Sequence, residues 1–168
     1  MKHILHNSCA TLTLSNYRTY LFATLFSLGN VVLPQLCHLL PWGGPTLLPI
    51  YFFTLVATCL MGWRVGLLTA VVSPLVNTLW FSMPTMAMLP IVLTKSVALA
   101  AIVGSLLRYR RPWLLVAGIV GAQLVGAFAE WALTSQVELA FRHVVMGLPG
   151  LAVQSIVGIV ILKKLSHL

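Results

Sequence analysis

Long apolar runs alternate along this chain with short polar or proline- and glycine-rich breaks. Six runs stand out, at about residues 17–40, 46–62, 65–82, 89–107, 113–135 and 145–163. At roughly 20 residues each can cross a hydrocarbon core of about 30 Å as a helix. The breaks have chemical causes. "PWGGP" (Pro41–Pro45) ends the first run, because two glycines and two prolines cannot continue a helix. "MPTMAMLP" (Met83–Pro90) makes a loop before the fourth run, and "RYRRP" (Arg108–Pro112) separates the fourth from the fifth. Only "GWR" (Gly62–Arg64) divides the second from the third. The pattern predicts an all-α membrane protein: one bundle of six transmembrane helices over residues 17–168, preceded by a short tail over 1–16. The tail lacks the continuous apolar stretch of a signal peptide.

Composition agrees. The 168 residues are 60% hydrophobic and 7% charged, with mean hydropathy +1.00, where soluble domains carry about 25% charged residues. Ten basic residues against two acidic ones give a net charge of +8. In a soluble protein that excess suggests nucleic acid, but here it sits between the apolar runs. Lys2, Arg18, Arg64, Arg108, Arg110, Arg111, Lys163 and Lys164 share one set of ends, and Arg142 alone marks the other. The positive-inside rule then places both termini in the cytoplasm of a multi-pass protein of the inner (cytoplasmic) membrane. The outer loops fall at about 40–46, 82–89 and 136–144.

Lys95 lies within the fourth run, six residues or roughly 9 Å from its outer end. Glu130 lies within the fifth run, about 8 Å from its outer end. Asn77, Tyr51 and His143 fall near the same depth on three other runs, with Gln123 and Gln154 deeper. Intramembrane ionisable residues usually face the bundle interior or a wet cavity. Five polar groups on five runs therefore predict a pocket open to the outside. Lys95 and Glu130 can line it, pair with each other, or do both. The loop from Trp80 to Pro90, with Trp80, Met83 and Met86, offers adaptable apolar cover for a flat ring. The loop from Leu39 to Pro49, mobile at Gly43–Gly44, is a second lid.

Small residues recur every four positions at Gly62/Gly66/Ala70, Ala100/Gly104 and Gly118/Ala122/Gly126, a pattern for close helix packing or for docking another membrane protein. Cys9, Cys37 and Cys59 form no CxxC pair, and His3, His6, His38, His143 and His167 are scattered, so neither a metal site nor a cofactor is expected. No nucleotide-binding or hydrolase motif occurs, and Glu138 reads as a helical pair with Arg142, so no enzyme is expected.

Several stretches resemble the substrate-binding membrane subunits (S components) of energy-coupling factor (ECF) vitamin transporters. These are "LLP" at Leu47–Pro49, "GWRVGLL" at Gly62–Leu68, "SP" at Ser73–Pro74, "SMP" at Ser82–Pro84 and "GLPGLAVQ" at Gly147–Gln154. Ser82 departs from the glycine usual there. The resemblance spans roughly residues 44–165. It implies six helices with cytoplasmic termini and a high-affinity site near the outer face, built from spans four to six and the outer loops. It also implies partners: a transmembrane scaffold subunit driven by two ATPase subunits. The scaffold contact would involve Ala23-x-x-x-Ser27, where the family has two alanines, together with Gly66 and Ala70. A vitamin-like heterocycle is the expected substrate, and relatives' acidic residue near the Lys95 position would make lysine favour an anionic or electron-rich group. A solitary cobalamin-type S component without a dedicated ATPase module is the nearest alternative. A facilitator lacks a polar path through the cytoplasmic halves of the spans, and a non-transport membrane scaffold is the remaining class.

Overall fold

The computed structural model describes residues 13–37, 39 and 46–166. The tail through residue 12 with Cys9, His38, the Pro41–Pro45 break with its glycine pair, and His167 lie outside the described residues. Among the described residues the α-helices are, in order, α1 (Tyr17–Cys37), α2 (Pro49–Met61), α3 (Trp63–Phe81), α4 (Leu89–Leu106), α5 (Pro112–Thr134), α6 (Val137–Met146) and α7 (Leu148–Ser166). Among the described residues there is no strand. Prolines at the first or second helical positions of α2, α4 and α5 start those helices, where the missing N–H costs nothing.

Five helices, α1, α3, α4 with its following 3₁₀ turn, α5 and α7, are long and apolar enough to cross a membrane. The second expected span is shorter. α2 has 13 residues, or about 20 Å at 1.5 Å per residue. The expected outer loop at 136–144 is instead α6. Its inner face repeats at Leu139, Ala140, His143, Val144 and Gly147, the three-and-four spacing of a helix. Glu138 and Arg142 both lie on α6, but no ion pair joins them.

The helices are turned inside out relative to a water-soluble bundle. α1 buries Thr19, Ala23, Ser27, Asn30, Val31 and Pro34 and exposes Leu21, Leu25, Leu28, Val32 and Leu36. α3 buries Gly66, Thr69, Ala70, Ser73 and Asn77 and exposes Val71, Val72, Leu75 and Leu79. Large aliphatic side chains gain nothing by leaving lipid tails, whereas small ones let helices approach closely. This is the build of a multi-pass membrane protein. It also corrects the expected docking surface: Ala23, Ser27, Gly66 and Ala70 are buried where α1, α2 and α3 pack on one another. At Gly66 an added Cβ would stand 2.0 Å from the Thr58 hydroxyl oxygen. That closeness across so short a stretch requires the chain to fold back between α2 and α3. Gly62, at φ 94°, supplies the bend.

One polar hub ties the first three helices together. The Asn30 amide donates to Thr54 Oγ1 (3.0 Å) and Ser73 Oγ (3.1 Å), and its oxygen accepts the Phe53 N–H (2.9 Å). Pro34, four residues on, has no N–H to offer the Asn30 carbonyl. Asn77 Nδ2 donates to that carbonyl instead, at 2.9 Å. In a membrane every backbone polar group needs such an internal partner.

The hub yields a double-mutant prediction. Asn77→Leu should cost about 1–3 kcal/mol by leaving a buried carbonyl unpaired. In a Pro34→Ala background, where residue 34 regains its N–H, the same change should cost less than half as much. Equal costs in both backgrounds, measured by equilibrium unfolding in mixed micelles, would rule out this role for Asn77.

Candidate functional site

The α4–α5 pair carries the ionisable residues, and their register explains how they meet. On α5, Gly118, Ala122, Gly126 and Glu130 recur every four residues and are all buried, forming one stripe that ends in a carboxylate. α4 runs antiparallel beside it. Gly118 sits against Val103, and Gly126 sits against Lys95. A Cβ at Gly126 would fall 1.9 Å from Lys95 Cγ, so the absent side chain is what admits the lysine stem. The stem crosses α5 there, and Nζ reaches Glu130 Oε2, one turn on, at 3.2 Å. The other oxygen, Oε1, is hydrogen-bonded to His143 Nδ1 from α6. Glu130 is fully buried, and the Lys95 side chain is 9% exposed. The expectation that these two charges share a depth is therefore met by direct contact.

Lys95, Glu130 and His143 border a cavity of about 370 Å³. Leu48, Pro49, Ile50 and Tyr51 at the start of α2 form one wall, and Ile91 and Val92 on α4 form another. Met83, Pro84, Thr85 and Met88 of the α3–α4 loop lie across it, and Pro34 closes the α1 side. Leu48 adopts φ 50°, an uncommon conformation for a bulky residue, immediately before Pro49. In chain order all these segments lie at the helix ends opposite Arg18, Arg64, Arg108 and Lys163. Beneath them is a packed apolar layer that includes Leu55, Leu99, Val103, Leu115, Ile119 and Leu162. The cavity has polar groups on one side, and the layer beneath it is apolar apart from Gln123 and Gln154.

Five of the expected site residues converge here: Tyr51, Met83, Lys95, Glu130 and His143. Three do not. Asn77 is fully buried in the hub below α1, because the carbonyl freed by Pro34 claims it. Trp80 and Met86 are 74% and 67% exposed and point away from the cavity. His143 was placed at the start of the last span but belongs to the separate helix α6. Sequence reasoning missed Pro34, Ile91 and Val92, and it placed Leu48 only as part of the Leu39–Pro49 lid. Only Leu48 and Pro34 carried a signal, the first as the residue before a proline and the second as a proline inside a span.

Comparison with known proteins gives no relative to lean on: no family model, curated protein or solved structure matches this chain.

The geometry makes two predictions. Lys95→Met should cost about 3 kcal/mol or more by stranding a buried carboxylate. Adding Glu130→Gln should restore at least half of that loss, and a double mutant no more stable than the single one would refute the pairing as the reason for the cost. Gly126→Ala should cost about 1–3 kcal/mol by overpacking the lysine stem. The same change should be nearly neutral in Lys95→Ala protein, where the stem is gone. Equal costs in the two backgrounds would place the clash elsewhere. Both cycles can be read from unfolding in mixed micelles.

Proposed function

We propose that this protein is the substrate-capture subunit of an ECF-type uptake transporter for a vitamin or related micronutrient. One observation carries the reading: a ligand-sized cavity lies at one end of the bundle, and the layer beyond it is packed and apolar apart from Gln123 and Gln154. Small-molecule sites typically enclose about 300–1,000 Å³, mostly apolar with a few convergent polar groups. A cavity that ends blindly suits binding and does not suit conduction. The distribution of basic residues supports an orientation with the cavity facing outward and both termini in the cytoplasm, α2 being a short sixth crossing. The sequence resemblance supports the same arrangement. With no nucleotide-binding motif in the chain, uptake would draw on a membrane scaffold subunit and two ATPases. The scaffold would meet outward-facing side chains of the bundle, since Ala23, Ser27, Gly66 and Ala70 are buried.

The charge arrangement refines the substrate. The Lys95 charge is already balanced by Glu130 at 3.2 Å, so the pocket does not require an anion. A flat, mostly apolar heterocycle with hydrogen-bond acceptors at one edge fits the Met83, Met88, Ile91 and Val92 walls and the Lys95 side.

Native mass spectrometry of protein purified from its own membrane in mild detergent tests the reading. Wild type and Trp80→Ala, whose side chain lies outside the cavity, should retain a small molecule. Val92→Trp, which fills the cavity, should lose at least nine-tenths of it. An empty wild type that also fails to bind a vitamin panel would defeat the proposal and favour a non-transport membrane scaffold.

A further inference from the structure

A second, much smaller recess lies next to the main cavity, on its inward side. It has a volume of about 10 Å³ and shares Leu48, Tyr51 and Lys95 with the cavity above. That is room for a single water-sized group. Its other walls include Gln123 of α5 and Gln154 of α7. Gln154 is 2% exposed, and its Nε2 reaches the Leu48 carbonyl at 3.4 Å. Gln123 is 5% exposed, and among the described residues its Nε2 has no hydrogen-bond partner. A buried N–H without an acceptor is costly, and native structures keep few of them. Lys95 adds to the unmet donors. Of its three N–H bonds, one is directed at Glu130, and among the described residues no other acceptor engages the remaining two.

We propose that this recess is the anchoring subsite of the cavity above it, taking one uncharged oxygen of the ligand, a hydroxyl or a carbonyl, on the Gln123 amide. The inference rests on the capture reading given above. A ring seated among Met83, Met88 and Val92 extends a short substituent past the Lys95 stem, and its oxygen accepts from the Gln123 amide. The group is uncharged because Lys95 and Glu130 already cancel, and the remaining walls are Leu99, Ile119, Ala122 and Leu151. A carboxylate or phosphate there would be a net buried charge, which such walls disfavour. The volume sets the size limit: one oxygen, with no branched group behind it. Gln123 is then a specificity-determining residue that stays unsatisfied until the pocket fills.

The test compares wild type with Gln123→Met, which keeps the volume and removes the amide, and Gln123→Asn, which keeps the amide and withdraws it by one methylene. Each protein is stripped by prolonged detergent washing and melted without ligand. In parallel, unstripped samples are weighed by native mass spectrometry for the copurified molecule. The expected result has two parts. Stripped Gln123→Met melts at the same temperature as stripped wild type or a few degrees higher, because an unmet donor has gone. Occupancy by the copurified molecule falls at least tenfold in both variants, and that molecule carries a hydroxyl or carbonyl oxygen on a ring. A stripped Gln123→Met protein that melts several degrees lower would show that the amide has a structural partner, and would overturn the proposal. Unchanged occupancy in the variants would remove the subsite and leave the capture function standing. A copurified molecule whose only oxygens belong to carboxylate or phosphate would do the same. A wild type that carries no small molecule would remove the capture reading and the subsite together.

Discussion

The bundle is organised around a carboxylate that has no access to water. Glu130 is fully buried near one end of α5, and a lone ion in such a place costs several kcal/mol. Both of its oxygens are therefore occupied, one by Lys95 from α4 and the other by His143 from α6. Those two contacts fix much else. Lys95 can reach only because α5 has no side chain at Gly126. That requirement sets the α4–α5 register, which brings Val103 against Gly118 farther down. His143 can reach only because the segment after α5 turns back as a helix with that residue on its inner face. The cavity lies where these three elements meet the start of α2. Its polar rim includes the two side chains that contact Glu130.

A different constraint governs the other half. α1, α2 and α3 hold no charge in their interior, yet their backbones must be satisfied away from water. Pro34 leaves the Asn30 carbonyl without a helical donor, and Asn77 fills the vacancy. The Asn30 side chain uses both donors and its acceptor to join α2 and α3. Hydrogen bonds of this kind are worth only about 0.6 kcal/mol each on average within a bilayer. Their value here is geometric, since the hub fixes how three helices of small residues stack. The two halves therefore differ in chemistry. One is held by amides and hydroxyls, the other by an ion pair and a histidine, and the cavity occupies the seam between them.

How much of this the sequence showed depends on the kind of information needed. Depth was legible. An apolar run has readable ends, so Lys95, Glu130 and Tyr51 could be placed at one level, and they line one cavity. Direction around the helix axis was not. In lipid the outer and inner faces are both apolar, so Asn77 could be assigned a depth but not a neighbour, and it faces the hub. Trp80, in the last turn of α3, and Met86, on the following loop, differ for the same reason: their level is right, but both side chains are exposed rather than turned to the cavity. The small-residue stripes told of close packing without saying what they packed against. Gly66 and Ala70 serve the chain's own helices, and Gly126 serves a lysine side chain. α6 is legible only in part: the segment reads as an outer loop holding one helical pair, Glu138 and Arg142, whereas the spacing of Leu139, Ala140, His143 and Val144 extends the helix over ten residues.

On the proposed capture function, magnitudes show which part of the cavity would decide affinity. A single aromatic ring system buries about 150–250 Å². At about 25 cal/mol per Å² the apolar walls then supply about 5 kcal/mol, which by itself corresponds to a dissociation constant of about 0.2 mM. A capture protein working at nanomolar substrate needs about 12 kcal/mol. If the protein captures a heterocycle as proposed, the methionine, isoleucine and valine walls alone would not reach that affinity. The difference falls to the few polar groups that reach the cavity and the recess beside it: the spare N–H bonds of Lys95, the Tyr51 hydroxyl, the second nitrogen of His143 and the Gln123 amide. Each is already held in place by the packing around Glu130 or by α5 itself, so little ordering remains to oppose binding. Selectivity follows from the same arrangement. A ligand lacking the matching acceptors leaves those donors buried and unpaired, and polar sites reject such analogues far more strongly than apolar pockets reject a missing methylene.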